Sequence, residues 1–498
     1  MTAMKVIGSL ASCGVVLALI GGPASAQPTP AARPNILIAM ADDWGWPHAS
    51  AYGDAVVKTP TLDRLAHEGV LFEHAYVASP SCTPSRAALL AGQWHWRLEE
   101  SANLWSTLRY NYPTYPELLE QAGYHVGMTG KGWGPGRNEP GGRSHNPAGR
   151  VFKDLEAFLD ARPAGRPFVF WFGSSDPHRD YDTGSGVRSG IDAARIRLAP
   201  HLPDARAVRE DVADYYYEVQ RFDRDVAGLL DVLERRGELA RTIVIMTGDN
   251  GMPFPRCKAN LYDCGVRVPL VVRWPAGFAA DRRVNTFVSL TDIAPTLLEL
   301  AGVGVPASMT GRSLVPLLAK TQPAGVARGR EYVLTGKERH VPGQEAPDLG
   351  GTPMRAIRTQ DYLYIRNFRP DRWPAGTPDA DKAVIAGRWL ADCDNGPTKS
   401  YLVDHRQEPG VGRLWDLAFA KRPAEELYDL RKDPGQIDNV ASKPEYAQVK
   451  AQLSARLLSE LHGTGDPRVI GGAERLETYP YYGGSPTKPG LPPEGEKR

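Results

Sequence analysis

The chain lacks an excess of charge of either sign, because its 498 residues include 59 lysines and arginines against 58 aspartates and glutamates. It therefore has no global positive field, and a nucleic-acid partner is not expected. Long apolar runs are also scarce. The run at residues 6–20 is too short for a convincing transmembrane anchor, so no stable membrane span is expected. With 42% hydrophobic and 23% charged residues, the composition excludes a wholly disordered chain, a fibre and a polytopic membrane protein.

The first residues have the pattern of an export signal. Lys5 precedes the apolar run, and Ala24-Ser25-Ala26 is an A-x-A cleavage site, so residues 1–26 are predicted to be a signal peptide. A lipoprotein box ending at Cys13 is the alternative, although the apolar run continues past that cysteine. We expect a periplasmic or secreted protein that is cleaved near Ala26.

Cysteine is rare, with five in the chain, and four remain after the signal: Cys82, Cys257, Cys264 and Cys393. Export permits disulfides, and Cys257 and Cys264 are close enough in sequence to pair. A metal site is the other interpretation of their spacing, but the sequence has no second Cys or His cluster to support zinc.

Several short apolar runs end in polar residues, which is typical of buried parallel strands. They occupy residues 35–41, 125–128, 168–172 and 242–247. Helical patterns lie between them at residues 60–67 and 214–235, so the sequence predicts an α/β sheet with helices on both faces. Ligands of such sheets bind beyond the carboxyl ends of the strands, where these polar residues would converge.

The pattern changes after about Gly336. Short strands are predicted within residues 355–368 and 401–417, followed by a helix at 444–461, as in a smaller α+β subdomain. The predicted boundaries are 34–340 for the catalytic domain, 341–470 for the C-terminal subdomain and 471–498 for an extended tail. Residues 481–498, rich in proline and glycine, are expected to be frayed.

The sharpest motif is Cys82-Thr83-Pro84-Ser85-Arg86. Pro84 favours a helix start, which would put Cys82 at a positive helix end, with Arg86 about one turn further on. By itself the motif fits an activated thiol, an anion site, or a buried cysteine beside an ordinary helix.

This motif, followed by Ala-Ala-Leu-Leu-Ala-Gly, resembles the signature of the formylglycine-dependent (type I) sulfatases of the alkaline phosphatase superfamily. The order of further motifs is similar to that family over residues 34–465. These motifs are Asp42-Asp43, Gly130-Lys131, Asp176-Pro177-His178, Asp249-Asn250-Gly251, Lys258, Gly265-Val266-Arg267-Val268-Pro269-Leu270 and Glu426-Leu427-Tyr428-Asp429-Leu430.

The resemblance implies an alkaline-phosphatase-like fold, with a mostly parallel central sheet flanked by helices. It implies that a formylglycine-generating maturation enzyme oxidises Cys82 to formylglycine. It also implies a Ca2+ ion held by the residue-82 side chain together with Asp42, Asp43, Asp249 and Asn250. Hard oxygen donors suit calcium, although a solvated turn or a helix cap would be the better interpretation of an Asp-Asp pair that stood alone.

The resemblance also implies roles in catalysis. One hydroxyl of the hydrated aldehyde attacks sulfur, and the second hydroxyl later expels sulfate. Arg86 holds and activates the formylglycine, Lys131 and Lys258 contact the sulfate oxygens, and His178 protonates the departing alcohol or amine. In one departure from the family, Trp133 stands where a histidine is common. His95, His48 or a water is a possible substitute in the second step.

Other strings are most similar to the heparan N-sulfatase (sulfamidase) branch, which removes sulfate from a terminal glucosamine amino group. Candidate ligands for an acidic sugar are Arg179, His340, Arg355 and Arg358, with an ordinary charged surface as the alternative. A sugar platform or core packing would explain Trp44, Trp46, Trp94 and Trp96. The leading hypothesis is a sulfatase acting on sulfated carbohydrates. The rivals are a phosphonate or phosphate diester hydrolase and a non-catalytic glycan-binding homologue.

Overall fold

The computed structural model describes residue 1, residues 33–320 and residues 329–490. The predicted signal peptide with Cys13 lies outside the described residues, apart from residue 1. The strands are β1 (Asn35–Ala41), β2 (Val70–Tyr76), β3 (His125–Gly130), β4 (Arg150–Val151), β5 (Phe168–Gly173), β6 (Thr242–Gly248), β7 (Leu270–Arg273), β8 (Arg282–Ser289), β9 (Tyr332–Lys337), β10 (Met354–Thr359), β11 (Tyr362–Asn367) and β12 (Glu425–Asp429).

Helices connect most of these strands. The α-helices are α1 (Pro60–Glu68), α2 (Cys82–Ala91), α3 (Tyr115–Gln121), α4 (Leu155–Ala161), α5 (Ser185–Arg188), α6 (Arg206–Arg235), α7 (Asp263–Val266), α8 (Ile293–Leu300), α9 (Val315–Leu318), α10 (Pro397–Asp404), α11 (Val411–Phe419), α12 (Ala447–Gly463), α13 (Pro467–Ile470) and α14 (Glu474–Thr478). Short 3-10 helices lie at Ser50–Tyr52, His95–Arg97, Glu99–Ala102, Glu139–Gly141, Ala193–Arg195, Leu239–Arg241, Leu290–Asp292 and Pro444–Tyr446. Within the described ranges, no helix is both long and apolar enough to cross a membrane.

The central sheet has eight strands in the order β4-β3-β5-β1-β6-β7-β2-β8. Strand β7 runs antiparallel to both of its neighbours, while the other adjacent pairs are parallel. The predicted fold class, a mostly parallel sheet flanked by helices, is confirmed. Strand β1 lies between β5 and β6 near the middle, so its carboxyl end faces the ends of both neighbours.

Both faces of the sheet are covered, because successive side chains of a strand point to opposite faces. From β1, Ile36, Ile38 and Met40 join the hydrophobic core on one face. Leu37 and Ala39 join the core on the other face, which includes the apolar side of α6. The continuous apolar run at residues 35–41 is thus explained by burial on both sides.

The C-terminal part carries a second, antiparallel sheet in the order β12-β11-β10-β9, packed against α12. The helix predicted at 444–461 is confirmed, but the strands predicted within 401–417 are wrong, since α10 and α11 occupy that segment. The reason is helical periodicity: Val411, Trp415, Ala418 and Phe419 bury one face of α11.

The tail is hydrogen-bonded to the rest of the chain as far as it is described. Tyr482 N–H donates to the Trp105 carbonyl at 2.9 Å, and Lys488 N–H donates to the Gly387 carbonyl at 3.0 Å. Fraying is therefore not supported for residues 481–490. The domain boundaries at 340 and 470 stay predictions.

Candidate active site

Four strands of the central sheet deliver polar residues to one place. Asp42 and Asp43 follow β1, Lys131 follows β3, His178 lies in the loop after β5, and the Asp249-Asn250 pair follows β6. Backbone hydrogen bonds fix the strand ends to one another. Asp42 N–H donates to the Asp176 carbonyl at 2.9 Å, and Asp249 N–H donates to the Ala41 carbonyl at 3.2 Å.

Lys131 is positioned by a close approach of β3 and β5. Gly130 has φ +72°, and a Cβ at this position would lie 2.0 Å from the Gly173 carbonyl oxygen, so only glycine fits there. Lys131 N–H donates to the same carbonyl at 2.8 Å. Its Nζ then donates to both carboxylate oxygens of Asp42, at 2.7 and 2.6 Å.

Cys82 is the first residue of α2, a helix whose residues are all buried. The Cys82 thiol, only 2% exposed, donates to Asp42 Oδ1 at 3.6 Å. Arg86 lies on the same side one turn later, as the spacing predicts, and its Nε donates to Asp249 Oδ2 at 2.7 Å. Burial raises the pKa of the Cys82 thiol well above its ordinary value, so the unmodified side chain is a neutral thiol and a weak nucleophile.

Oxygen donors surround the space beside Cys82. Asp42, Asp43 and Cys82 offer ligand atoms that all lie within 4.8 Å of one another. Asp249 Oδ1 accepts the Asp43 N–H at 2.9 Å, and Asn250 Nδ2 donates to Asp43 Oδ1 at 2.7 Å. Within the described part of the chain, Asn250 Oδ1 is buried without a hydrogen-bond partner. Buried oxygens normally have a partner, so this donor set fits a hard divalent cation.

The charge balance of this centre also suits a cation. In the described residues, four carboxylates face three cationic side chains: Asp42, Asp43, Asp249 and Asp394 against Arg86, Lys131 and Lys258. Although burial raises it, the pKa of Asp42 is held far below its usual range by Lys131, His178 and Arg86. Asp42 is therefore ionised and able to serve as a metal ligand. A divalent cation would reverse the excess of negative charge and make the centre attractive to an anion.

His178 and Lys258 lie near the second carboxylate oxygen of Asp43, Oδ2, whereas Asn250 is bonded to Oδ1. Lys258 Nζ donates to Asp43 Oδ2 at 2.8 Å and to Asp394 Oδ2 at 3.0 Å. His178 Nδ1 lies 2.5 Å from the Arg179 carbonyl and so acts as the donor, while its Nε2 lies 3.8 Å from Asp43 Oδ2. The His178 side chain is 33% exposed and reaches solvent.

Asp394 also belongs to this site, although no sequence motif indicates it. This residue lies in an irregular segment before α10, 136 positions from Lys258, and its neighbours form no periodic or motif pattern. Although burial raises it, the pKa of Asp394 is lowered well below its usual range, mainly by Lys258 and then by His178.

A family model described as Sulfatase matches residues 34–303, more than half of the chain. The chain belongs to the sulfatase family. A second model, described as N-sulphoglucosamine sulphohydrolase, C-terminal, matches residues 257–373. The resemblance to alkaline-phosphatase-like sulfatases is thus confirmed, and it places the chain among hydrolases.

Curated relatives and solved structures agree with this family. An ulvan-active sulfatase of Formosa agariphila is 26% identical, over 92% of this chain and 79% of the relative. Human N-sulphoglucosamine sulphohydrolase is 29% identical, over 88% of this chain and 92% of the relative. A protein solved in complex with its substrate, D-glucosamine-2-N,6-O-disulfate, has the same fold at TM-score 0.60, with 20% identity, covering 87% of this chain and 98% of that one.

Three of the four residues predicted to bind the sugar in this sulfatase form internal ion pairs instead. Arg179 donates to both oxygens of Asp211 at 2.8 and 2.9 Å, and Arg358 donates to Asp263 at 3.0 and 3.1 Å. Arg355, with 0% exposure, is bound by buried carboxylates from other parts of the C-terminal region. These pairs occupy the guanidinium groups, and this placement argues against their predicted contact with substrate.

His340, the fourth predicted ligand, lies near the centre. Its Nδ1 is 2.8 Å from the hydroxyl of Ser81, the residue before Cys82. Burial lowers the pKa of His340 to about 4, with Lys258 and Lys337 acting in the same direction. His340 is therefore neutral at neutral pH. Its contact with a sugar stays a prediction.

The two histidines considered as replacements at Trp133 contact other aromatic side chains in the described structure, and what assists the second step stays a prediction. Trp133 is buried, and its indole N–H donates to Ser101 Oγ at 3.3 Å. His48 lies beside Tyr216 at 3.0 Å, and His95 packs on Trp96. Of the four tryptophans considered for a sugar platform, Trp44, Trp94 and Trp96 are buried, which favours core packing for them.

Proposed function

We propose that this sulfatase hydrolyses sulfate esters or sulfamates of sulfated carbohydrates, using a formylglycine made from Cys82 and a bound Ca2+ ion. The observation that carries the proposal is the convergence of residue 82 with Asp42, Asp43, Asp249 and Asn250 at the ends of β1 and β6. Lys131 and Lys258 flank this group from two sides.

Calcium would be held by these three aspartates, Asn250 and the residue-82 side chain. The unpartnered Asn250 Oδ1 and the carboxylate oxygens are the hard ligands that calcium prefers. When bound, the ion supplies positive charge that orients a sulfate group and stabilises a deprotonated hydroxyl. The ion would share in neutralising Asp42 and Asp43. Lys131 and Lys258 would then be free to bind sulfate oxygens.

Residue 82 would supply the nucleophile once it is modified. A hydrated aldehyde offers two hydroxyl groups. One can attack sulfur, and the other can later expel sulfate without a strong external base. Arg86 restrains this end of α2 through Asp249 and through the Lys131 and Gly132 carbonyls, at 2.9 and 3.0 Å. These bonds leave Arg86 with a positioning role beside residue 82.

His178 is suited to protonate the leaving group. Its Nδ1–H is fixed on the Arg179 carbonyl, so the opposite ring nitrogen, Nε2, faces the centre. Asp43 and Asp394 offer carboxylate oxygens within 4.8 Å of the His178 ring nitrogen that faces the centre. Because the ring also reaches solvent, the proton it gives to an alcohol or amine can be replaced from bulk water.

The substrate class rests on the names of the relatives. They act on ulvan or on N-sulphoglucosamine by name, and both are sulfated carbohydrates. The match of residues 257–373 to the N-sulphoglucosamine sulphohydrolase C-terminal model favours an N-sulfated sugar. Within this proposal the protein is periplasmic or secreted after cleavage near Ala26, and a formylglycine-generating enzyme of the host matures it.

The test is a panel of substrates incubated with protein matured in its own host. N-sulfoglucosamine, 6-O-sulfated glucosamine and a phosphonate monoester are compared by release of sulfate or of the phosphonate's alcohol. The expected result is sulfate release that needs added Ca2+, is absent in Cys82→Ala and persists in Cys393→Ser. Preferred turnover of the phosphonate would instead indicate a phosphonate hydrolase. Binding of sulfated sugar without turnover would indicate the glycan-binding homologue.

A further inference from the structure

A second cluster of metal-ligating side chains lies outside the centre described above. His201, Cys257 and Cys264 offer ligand atoms that all lie within 4.8 Å of one another. Cys257 Sγ is 3.3 Å from His201 Nε2. His201 comes from the loop before α6, whereas the two cysteines come from the segment after β6, with Cys264 inside α7.

The two thiols are not joined to each other, since both cysteines are free. His201 and Cys257 are buried, while Cys264 is partly exposed. Thiolate sulfur and imidazole nitrogen are soft or borderline ligands, in contrast to the oxygens around Asp43.

The spacing matches a tetrahedral ion of zinc type. With Zn–S near 2.3 Å and Zn–N near 2.0–2.1 Å, the edges of a tetrahedron are about 3.5–3.8 Å long. The distance between Cys257 Sγ and His201 Nε2 is within a few tenths of an ångström of that edge. A disulfide would need the sulfur atoms in covalent contact, at about 2.05 Å, and would leave the imidazole without a function.

We propose that His201, Cys257 and Cys264 bind a zinc-type divalent ion, with water in the fourth position. The ion would join the loop before α6 to the segment that carries Lys258. Backbone bonds also hold that segment, with Ala259 N–H donating to the Pro80 carbonyl at 2.8 Å and Lys258 N–H to the Met252 carbonyl at 3.1 Å. The bound ion would add a link from the loop before α6 and so help to position Lys258 without contacting substrate.

Cobalt absorption tests the proposal directly, because thiolate-bound Co2+ gives an intense charge-transfer band. The mature chain beginning at Gln27 is made with Cys82→Ala and Cys393→Ser, so that Cys257 and Cys264 are its sole thiols. The expected result is one equivalent of Co2+ with this band per chain, displaced by Zn2+ and unaffected by added Ca2+. Adding Cys264→Ser should abolish the band, and adding His201→Gln should weaken Co2+ binding at least tenfold.

Two results would overturn the proposal. One is the absence of a charge-transfer band in the folded, reduced double variant, in which His201, Cys257 and Cys264 are all unchanged. The other is a Cys257–Cys264 disulfide in freshly purified natural protein, detected by alkylating thiols before and after reduction. Circular dichroism of each ligand variant separates loss of metal from loss of fold, and the double variant alone decides the matter if a ligand variant does not fold.

Discussion

Replacing Arg355 with methionine separates a structural role of this residue from its predicted contact with substrate. The guanidinium donates to Asp466 at 2.5 and 3.1 Å and to Glu338 at 2.6 Å, and all three side chains are buried. Glu338 keeps a second partner, Arg468, at 2.6 Å. In the described part of the chain, the Asp466 carboxylate then keeps one donor, the backbone N–H of Arg468 at 2.9 Å.

The magnitude follows from this difference. Arg355→Met leaves Asp466 as a buried carboxylate without its cation, and such a loss costs about 3–5 kcal/mol of the free energy of unfolding. Removing the second charge as well, in Arg355→Met/Asp466→Asn, should restore more than half of that loss, because no unpaired charge then remains.

The assay combines urea unfolding, followed by tryptophan fluorescence, with kinetics on the sulfated sugar that the protein turns over. We expect a lower unfolding midpoint for the single variant, a partial recovery for the double variant, and a KM for the folded enzyme within twofold of the natural value. If Arg355→Met instead unfolds like the natural protein while its KM rises tenfold or more, Arg355 contacts substrate and is not a structural residue.

Three further predictions concern the metal, the leaving group and acid stability. Chelation should abolish sulfate release and Ca2+ should restore it, and Asn250→Leu should raise the Ca2+ concentration needed at least tenfold. His178→Gln should lower kcat by about 10²–10⁴-fold on sugar sulfates but far less on an aryl sulfate, whose leaving group needs no proton. Burial raises the pKa of Glu238, but Arg241 and Arg162 lower it to about 2. Since the unfolded carboxyl titrates near 4.3, Glu238 stabilises the fold above that pH and loses this contribution as the pH falls towards 2.

Matched controls accompany these three tests. The control for Asn250→Leu is Asn260→Leu, because the natural Asn260 side chain donates to the Lys258 carbonyl and is not a proposed Ca2+ ligand. Asn260→Leu should leave the Ca2+ requirement unchanged. An equal loss of kcat on aryl and sugar sulfates in His178→Gln would contradict its role as the acid. Glu238→Gln should flatten the decline of the unfolding midpoint between pH 4 and pH 2, and an unchanged decline would contradict the assignment to Glu238.

The sequence predicted those parts of the fold that depend on local pattern. Strand β1 begins and ends where its apolar run does, and β3, β5 and β6 each extend only one or two residues beyond theirs. The polar residues after these strands converge because neighbouring parallel strands end at one edge of the sheet. The secondary structure of the C-terminal part was harder to predict. An amphipathic helix such as α11 contains short apolar runs that resemble strands unless the 3.6-residue spacing of its apolar residues is examined.

Contacts between distant segments could not be predicted from the sequence. Nothing local to Arg355 shows that Glu338 and Asp466 enclose it, because Asp466 is 111 positions away. Asp394 reaches Lys258 from an irregular segment, and His201 joins the Cys257-Cys264 pair from a loop 56 residues before Cys257. In each case the fold, rather than a motif, brings the partners together. A charged residue in a sequence therefore says little about whether it faces a ligand or a buried counter-ion.

The chemical state of residue 82 decides whether this sulfatase uses a formylglycine nucleophile. The measurement is the mass of the proteolytic peptide containing this residue, from protein made in its own host. We expect the aldehyde, formylglycine, in the fraction of molecules that releases sulfate. Cys82 found entirely as a thiol, in a host that matures other sulfatases and in protein that still releases sulfate, would contradict this expectation.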